Sequence, residues 1–552
     1  MNVGRVLRTV RHIRPRQAWA QVRHLARRGP RRAAAGGSGE LRVSAPATPF
    51  LPAPRHARWD GGRKIELIGR EIVFRDAIDW DFSGEGPLFA YHLHQFDHAR
   101  SPSLAPDARA SLLLDWLERH ERGTGWNPHP TSLRILSWGK LLTTPGALCL
   151  DAAARARVLG SLADQVETLS RSPEIRLQAN HLFSNYLGVA FGALLLRHPR
   201  SARWWKASVA PFRGELASQV LEDGLHEERS PMYHALLLEN VLDLLNLARA
   251  ALGAGDAPAG AAALADQLAE TAGRMLGALD VLTHPDGEIA LFADSAFGIA
   301  HPPAVLADYG RRLGIEKAPS PCEGALRSGG YARVEAGPFT ALASLAGPAP
   351  AHQPGHAHCD MLAFELSLDR ERVVSDSGVP EYIPGALREA CRSVRGHATL
   401  ELDGREPAEI WGAHRVGGRP EVAMRVEAPL RAVEGDCRGW STPDTLHRRR
   451  FTAKGDALEV EDTLEGRERF VTARLPLAPG VEARLAGRGD SALRIRTPSG
   501  RRVYVRLPRG LHYRIESLPC FPEFGRRVER PCLVGEAQGW RGGVWRFEPG
   551  RR

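Results

Sequence analysis

The stretch Gly355-His356-Ala357-His358-Cys359-Asp360-Met361-Leu362-Ala363-Phe364-Glu365-Leu366-Ser367 opens on a histidine pair and passes into alternation. Leu362, Phe364 and Leu366 fall on one side of it, a period of two that reads as a strand. His356 and His358 are then expected to project to one side at the strand's mouth. Further along lie Ser375-Asp376-Ser377-Gly378 and Gly396-His397. Imidazoles and a carboxylate form a donor set that suits zinc, which takes such ligands at about 2.0–2.2 Å and tolerates three of them plus water. The competing reading makes His356, His358, Asp376 and His397 polar turn residues that close strands. Both readings stand at this point.

Outward from this stretch, two textures meet near residue 320. From about 105 to 315 apolar residues recur at three and four spacing, as in Leu112-Leu113-Leu114-Asp115-Trp116-Leu117 and Leu133-Arg134-Ile135-Leu136-Ser137-Trp138. Gly, Pro and Asp separate such segments, as successive helical hairpins require. After Gly329-Gly330-Tyr331 short alternating runs take over, such as Leu458-Glu459-Val460-Glu461, with turns at Asp403-Gly404 and Lys454-Gly455-Asp456. That pattern predicts an antiparallel sandwich. The expected division is a basic arm and flexible linker over 1–60, a helical domain over 61–318 and a β-sandwich over 319–552. The boundary falls at Ala318-Pro319-Ser320-Pro321.

A chain of 552 residues exceeds what one core usually holds. Its apolar content of 43% is that of a globular protein, and no run approaches the roughly eighteen apolar residues of a membrane span. A formal charge of +10 favours a polyanionic partner: nucleic acid, an anionic membrane surface or an acidic polysaccharide. No nucleic-acid module is recognisable, so nucleic acid is not the expected partner. Part of the charge is local, because residues 1–32 are rich in Arg and lack Asp and Glu. Val10, Ile13, Ala18, Trp19 and Val22 could line one side of a basic amphipathic helix suited to peripheral membrane contact. A basic arm packed along the body is the alternative. No signal peptide is readable in this segment. Seven scattered cysteines with no Cys-x-x-Cys pair do not describe a disulfide framework.

Three polar islands interrupt the helical half. Trp126-Asn127-Pro128-His129-Pro130-Thr131-Ser132-Leu133-Arg134 opens a helix with Arg134 and Trp138 one turn apart. Gln178-Ala179-Asn180-His181-Leu182-Phe183-Ser184-Asn185-Tyr186 is the second. In the third, Glu227-Glu228-Arg229-Ser230-Pro231-Met232-Tyr233-His234, Ser230 fits an N-cap and Pro231 the first helical position. Tyr233 then sits at the positive end of a helix dipole, where a phenol is expected to lose its proton more readily. Any one island alone reads as a capping and packing cluster.

Together, the islands resemble the heparinase II/III-type polysaccharide lyases. So do His-Pro-Asp-Gly-Glu at His284 to Glu288, Gly-His-Ala-His at Gly355 to His358 and Asp-Ser-Gly at Asp376 to Gly378. The resemblance runs in order from about Leu88 to about Gly466. It implies an (α/α) toroid followed by a β-sandwich, and β-elimination on a uronate-containing polysaccharide. It implies Asn180 and His181 as the groups that neutralise the substrate carboxylate, Tyr233 as base and acid, and His356 as a second acid/base. Arg134 is expected to bind substrate. His358, Asp376 and His397 match the metal ligands of several members, so one structural Zn²⁺ is expected and no organic cofactor. The resemblance also suggests the cell envelope or periplasm, whereas the lack of a readable signal suggests the cytoplasm.

Two departures from the family pattern stand out. His397-Ala398-Thr399 occurs where members commonly carry His-Asn-Thr, and a tyrosine often found ahead of that segment is missing from Arg388-Glu389-Ala390-Cys391-Arg392. Changes near Ala390 and Ala398 are therefore expected to bear on activity. Two other functions compete. A hydrolase would need facing carboxyls roughly 5–10 Å apart, and the adjacent Glu227 and Glu228 splay from a helix start. A non-catalytic accessory protein would use the groove and basic surface only to hold an acidic glycan.

Overall fold

The three-and-four spacing of the first half folds into a succession of helices. The computed structural model describes residues 3–25, 32–319, 324–427, 430 and 432–550. Two short helices lead, α1 (Val3–Val10) and α2 (Pro15–Leu25). The toroid follows as α3 (Gly86–Gln95), α4 (Pro106–Arg119), α5 (Pro128–Thr143), α6 (Ala152–Arg171) and α7 (Ala179–Leu195). It continues with α8 (Ser201–Gln219), α9 (Pro231–Gly253), α10 (Ala261–Val281) and α11 (Pro303–Arg312). Pro at the first or second helical position starts α3, α4, α5, α9 and α11, where a missing N–H costs nothing.

Helix α7 packs against α5, α6 and α8, and α9 against α10. Close approach requires two glycines of α7. A Cβ on Gly188 would meet Ser132 Cα at 2.9 Å, and one on Gly192 would meet Val166 Cγ2 at 2.3 Å. Trp116, Trp138, Phe183 and Phe191 fill the toroid core.

The second half is an antiparallel β-sandwich. A five-stranded sheet (residues 325–374) packs near an eight-stranded one that runs from Glu421–Glu427 to Glu482–Ala486, and a four-stranded sheet joins them. The opening stretch supplies one strand, Phe364–Leu368. Phe364 and Leu366 enter the sandwich core, with Phe364 edge-on to Phe451 and Phe547. The alternate residues, Glu365 and Ser367, are buried too. They face the toroid, where His284 meets Glu365 Oε2 at 2.9 Å and Ser367 Oγ at 2.8 Å. The polar side of the alternation is therefore the seam between the domains.

Three expectations change. The strand starts only at Phe364, because Leu362 adopts a left-handed φ of 60° that breaks the extended run. His356 and His358 consequently lie in the loop ahead of it. Residues 33–60, with the composition of a flexible linker, pack on the toroid. Glu40–Leu41 pairs antiparallel with Leu196–Arg197, and Ala35, Val43, Leu51 and Trp59 are buried because the helices leave apolar grooves for them. The expected boundary at Ala318-Pro319-Ser320-Pro321 lies partly outside the described residues, between α11 and the strand Ala325–Leu326.

Candidate active site at the domain seam

A cavity of about 680 Å³ opens between toroid and sandwich. Asn180, His181 and Tyr233 line it from the helices, and His356 from the sandwich loop. Four of the sequence-predicted residues thus meet although two domains supply them. Arg134, His358, Asp376 and His397 are not among the lining residues.

The backbone around this cavity is strained. Gln178 (φ 61°), Ala179 (φ 48°), Arg229 (φ 57°) and Ala293 (φ 53°) hold left-handed conformations without being glycine. Each costs about 1–3 kcal/mol and persists only where surrounding packing enforces it. Each also directly precedes or lies within two residues of a side chain at the site: Asn180, Ser230 or Asp294.

Asn180 and His181 occupy the first turn of α7. The Asn180 backbone N–H donates to Glu228 Oε1 at 3.0 Å, leaving its side-chain amide to the cavity. His181 Nδ1 meets Glu174 Oε2 at 3.1 Å, which orients the ring and leaves Nε2 open. His129 stacks on His181 with centroids 4.2 Å apart. Burial holds the His129 pKa down at about 3, so this neighbour stays neutral.

Ser230 caps α9 as its sequence requires, with Oγ accepting from the Tyr233 N–H at 3.2 Å. Burial nevertheless raises the Tyr233 pKa above the ordinary tyrosine value. Asp294 and Glu228 add to the rise, and the Tyr382 hydroxyl opposes it. The helix dipole was expected to favour loss of the proton, but desolvation of a buried phenolate outweighs it. Tyr233 rests as a phenol.

Its oxygen lies 3.0 Å from the Tyr382 hydroxyl. Tyr382 lines the same cavity, so a tyrosine does stand ahead of the Arg388 segment. It sits in Val379-Pro380-Glu381-Tyr382-Ile383-Pro384, ahead of Arg388-Glu389-Ala390-Cys391-Arg392, which itself holds no tyrosine.

Glu228 completes the wall, and the buried Asp294 and Arg388 stand behind it. Asp294 Oδ2 accepts from His356 Nδ1 and Oδ1 from His358 Nε2, each at 2.8 Å. Arg388, on α12 (Ala386–Arg392), pairs with both Asp294 oxygens. Burial pushes the Asp294 carboxyl up, yet Arg388 and the two histidines hold it well below the usual carboxylate range. His356 Nε2 lies 3.3 Å from Glu228 Oε2, and the His356 and Tyr233 ring centroids are 4.0 Å apart. Asp294 carried a faint sequence signal, as a lone acid in the apolar Ala290-Leu291-Phe292-Ala293 run.

Arg134 does not reach the cavity. It is fully buried, donates to the carbonyls of His94 and Gly125 and to Gln165 Oε1, and lies over the Trp116 ring. The polar island that contains it makes Arg134 a tie between helices, not a substrate contact. Glu227 is likewise absent from the lining, so the adjacent pair Glu227 and Glu228 does not present two carboxyls to this cavity.

Behind the cavity wall, His358, Asp376 and His397 each bring a ligand atom within 4.8 Å of the others, and all three are buried. His358 Nδ1 and His397 Nε2 have no hydrogen-bond partner among the described residues, although both are shut away from water. Buried orphan nitrogens beside a carboxylate fit a divalent ion, and Asp294 behind His358 is the outer carboxylate such a ligand ordinarily has. His129, Glu174 and His181 form a second trio of that spacing. There His181 meets Glu174 as His397 Nδ1 meets Asp376, but His129 and His181 stack and open on the cleft, which suits an orienting role.

Two family models match the chain: Heparinase II/III N-terminus over residues 158–299 and Heparinase II/III-like, C-terminal over residues 318–533. A heparin-sulfate lyase of Pedobacter heparinus is 25% identical over 324 residues, covering 52% of this chain and 47% of that protein. The chain thus matches about half the length of this curated relative. Among solved structures, heparinase III superposes with a TM-score of 0.66 at 15% identity, over 86% of this chain and 80% of that one. A heparan sulfate lyase from Pedobacter heparinus superposes with a TM-score of 0.58 at 16% identity, over 97% and 88%. At such identities the structural likeness concerns the fold.

Proposed function

The chain belongs to the heparinase II/III family, and from its cleft we propose that it is a lyase that cleaves an acidic, uronate-containing polysaccharide by β-elimination. The observation that carries this reading is the convergence of Asn180, His181, Tyr233 and His356 on one cavity, with an amide, imidazoles and a phenol set around space for a sugar.

The C5 proton of a uronate is barely acidic until its carboxylate is neutralised. The Asn180 amide donates to that group, and His181, with Nδ1–H committed to Glu174, donates through Nε2 as the imidazolium; both interactions strengthen as enolate-like charge develops. His356, with Nδ1–H fixed on Asp294, has Nε2 to accept the C5 proton. Glu228 then faces the imidazolium so formed. Tyr233, resting as a phenol, gives its proton to the leaving O4 as the C4–O4 bond breaks. The adjacent His356 ring returns a proton to the tyrosinate, so Tyr233 acts as acid and then base within one turnover. Tyr382 steadies the phenol oxygen throughout.

His358, Asp376 and His397 would hold one zinc or similar ion, which supplies a fixed positive charge when bound. Through Asp294, His358 also sets the position of His356. A surface or envelope glycan suits the substrate class and the +10 charge.

Ultraviolet absorbance during incubation with a panel of acidic polysaccharides tests the reading, since only β-elimination creates a conjugated unsaturated uronate. Absorbance that rises with at least one uronan is the expected result. Tight retention of glycans with no absorbance change on any of them would instead assign the chain to an accessory binding role.

A further inference from the structure

Helices α1 and α2 are packed inside out. On α1 the polar side faces the body: Arg5 and Arg8 reach Glu409 at 3.2 and 2.8 Å, and Trp411 Nε1 donates to Thr9 Oγ1. On α2, Arg16 pairs with Glu215 and the buried Gln17 faces the His352 carbonyl. Glu409 belongs to the sandwich and Glu215 to the toroid, so the pair straps the two domains.

The apolar residues consequently face solvent. Val3, Leu7 and Val10, spaced to share one helical face, are 70%, 62% and 44% exposed. Ile13 follows in the connection, and Trp19 and Val22 on α2 are 65% and 59% exposed. An exposed apolar run of this size on a strap that the body holds by ion pairs marks an interaction site.

We propose that α1 and α2 form a docking element for an anionic lipid surface, with Val3, Leu7, Val10, Ile13, Trp19 and Val22 entering the headgroup–acyl boundary. Charge decides the occupant. Arg11 and Arg23 are exposed beside the apolar face, Arg27, Arg28 and Arg31 follow in the sequence, and no acidic residue occurs before Glu40. Anionic headgroups complement that charge, and an indole such as Trp19 suits the interface. A second copy would set like charges against one another. A glycan offers hydroxyls and carboxylates to Leu7 and the valines, which have nothing to give them. Docking would seat the chain on the membrane by the strap that ties its two domains.

Sedimentation with vesicles tests the inference, using the full chain and either phosphatidylcholine alone or phosphatidylcholine mixed with phosphatidylglycerol. Binding to the mixed vesicles that weakens with salt is expected. The combined variant Leu7→Gln, Trp19→Gln and Val22→Gln should partition at least about tenfold less, with an unchanged unfolding midpoint. Arg11→Glu with Arg23→Glu should weaken binding independently of the apolar face. Parent protein that ignores phosphatidylglycerol vesicles at low salt overturns the proposal. So does a parent dimer that the triple variant dissolves in sedimentation velocity while vesicle binding is absent, which would make the face an interface between copies. Lipid binding is read without substrate, so its failure and that of the lyase reading are distinguishable.

Discussion

Asp294 accepts a hydrogen bond from His356 across 62 residues of sequence, at 2.8 Å, with its other oxygen committed to His358. One buried carboxylate therefore ties the cleft to the buried histidine–aspartate cluster behind it, and Arg388 balances its charge. Removing that charge should be costly. Asp294→Asn leaves Arg388 buried and unpaired, so the folded state is expected to lose about 3–5 kcal/mol. Denaturant unfolding measures it, and a loss under about 1 kcal/mol would mean that Arg388 finds another partner.

Tyr233→Phe removes one oxygen from a wall that otherwise keeps its packing. Turnover should fall by about 10²–10⁴ while the unfolding midpoint holds. Because burial raises the phenol's pKa, the parent rate should persist through the region near pH 10 where an ordinary tyrosine ionises. A rate that declines well below pH 10 through a group absent in Tyr233→Phe would contradict the resting phenol.

Asn180→Ala and His181→Ala should each lower kcat by about 10²–10³, with smaller changes in KM, because the charge they meet develops in the transition state. Weaker substrate affinity at unchanged maximal rate would reduce both residues to docking contacts.

His358→Ala tests the buried trio. Protein purified without chelator should carry close to one divalent ion per chain, and the variant should lose both the ion and thermal stability. Elemental analysis that finds only a trace, unaltered in the variant, would leave the trio as polar seam residues.

Acid stability should report on Glu365. Burial pushes its pKa up, but Arg372 and His284 outweigh that and bring it down to about 2. A depressed carboxylate contributes stability that is present above its unfolded pKa, the ordinary glutamate value of 4.5, and is lost as pH falls through about 2. Glu365→Gln should flatten the stability slope between those values, measured as unfolding free energy against pH.

The sequence by itself determined the local order of this protein. The alternation through Phe364 and Leu366 made a strand, Ser230-Pro231 started a helix, and the change of texture near residue 320 separated toroid from sandwich. The resemblance of the polar islands and of Gly355 to His358 to a known family picked out Asn180, His181, Tyr233 and His356, which all reach the cleft. Tertiary structure alone decided which buried polar groups meet. Arg134 looked like a ligand contact and became an internal tie, because nothing in a helical period tells a cleft face from a face covered by another helix. Tyr382 lies between prolines in a turn with no period, and Asp294 sits 94 residues from its Arg388 partner. Burial likewise reversed the expectation for Tyr233. A helix dipole acts within one turn and can be read from spacing, whereas desolvation depends on everything packed around the hydroxyl and exists only in the folded chain.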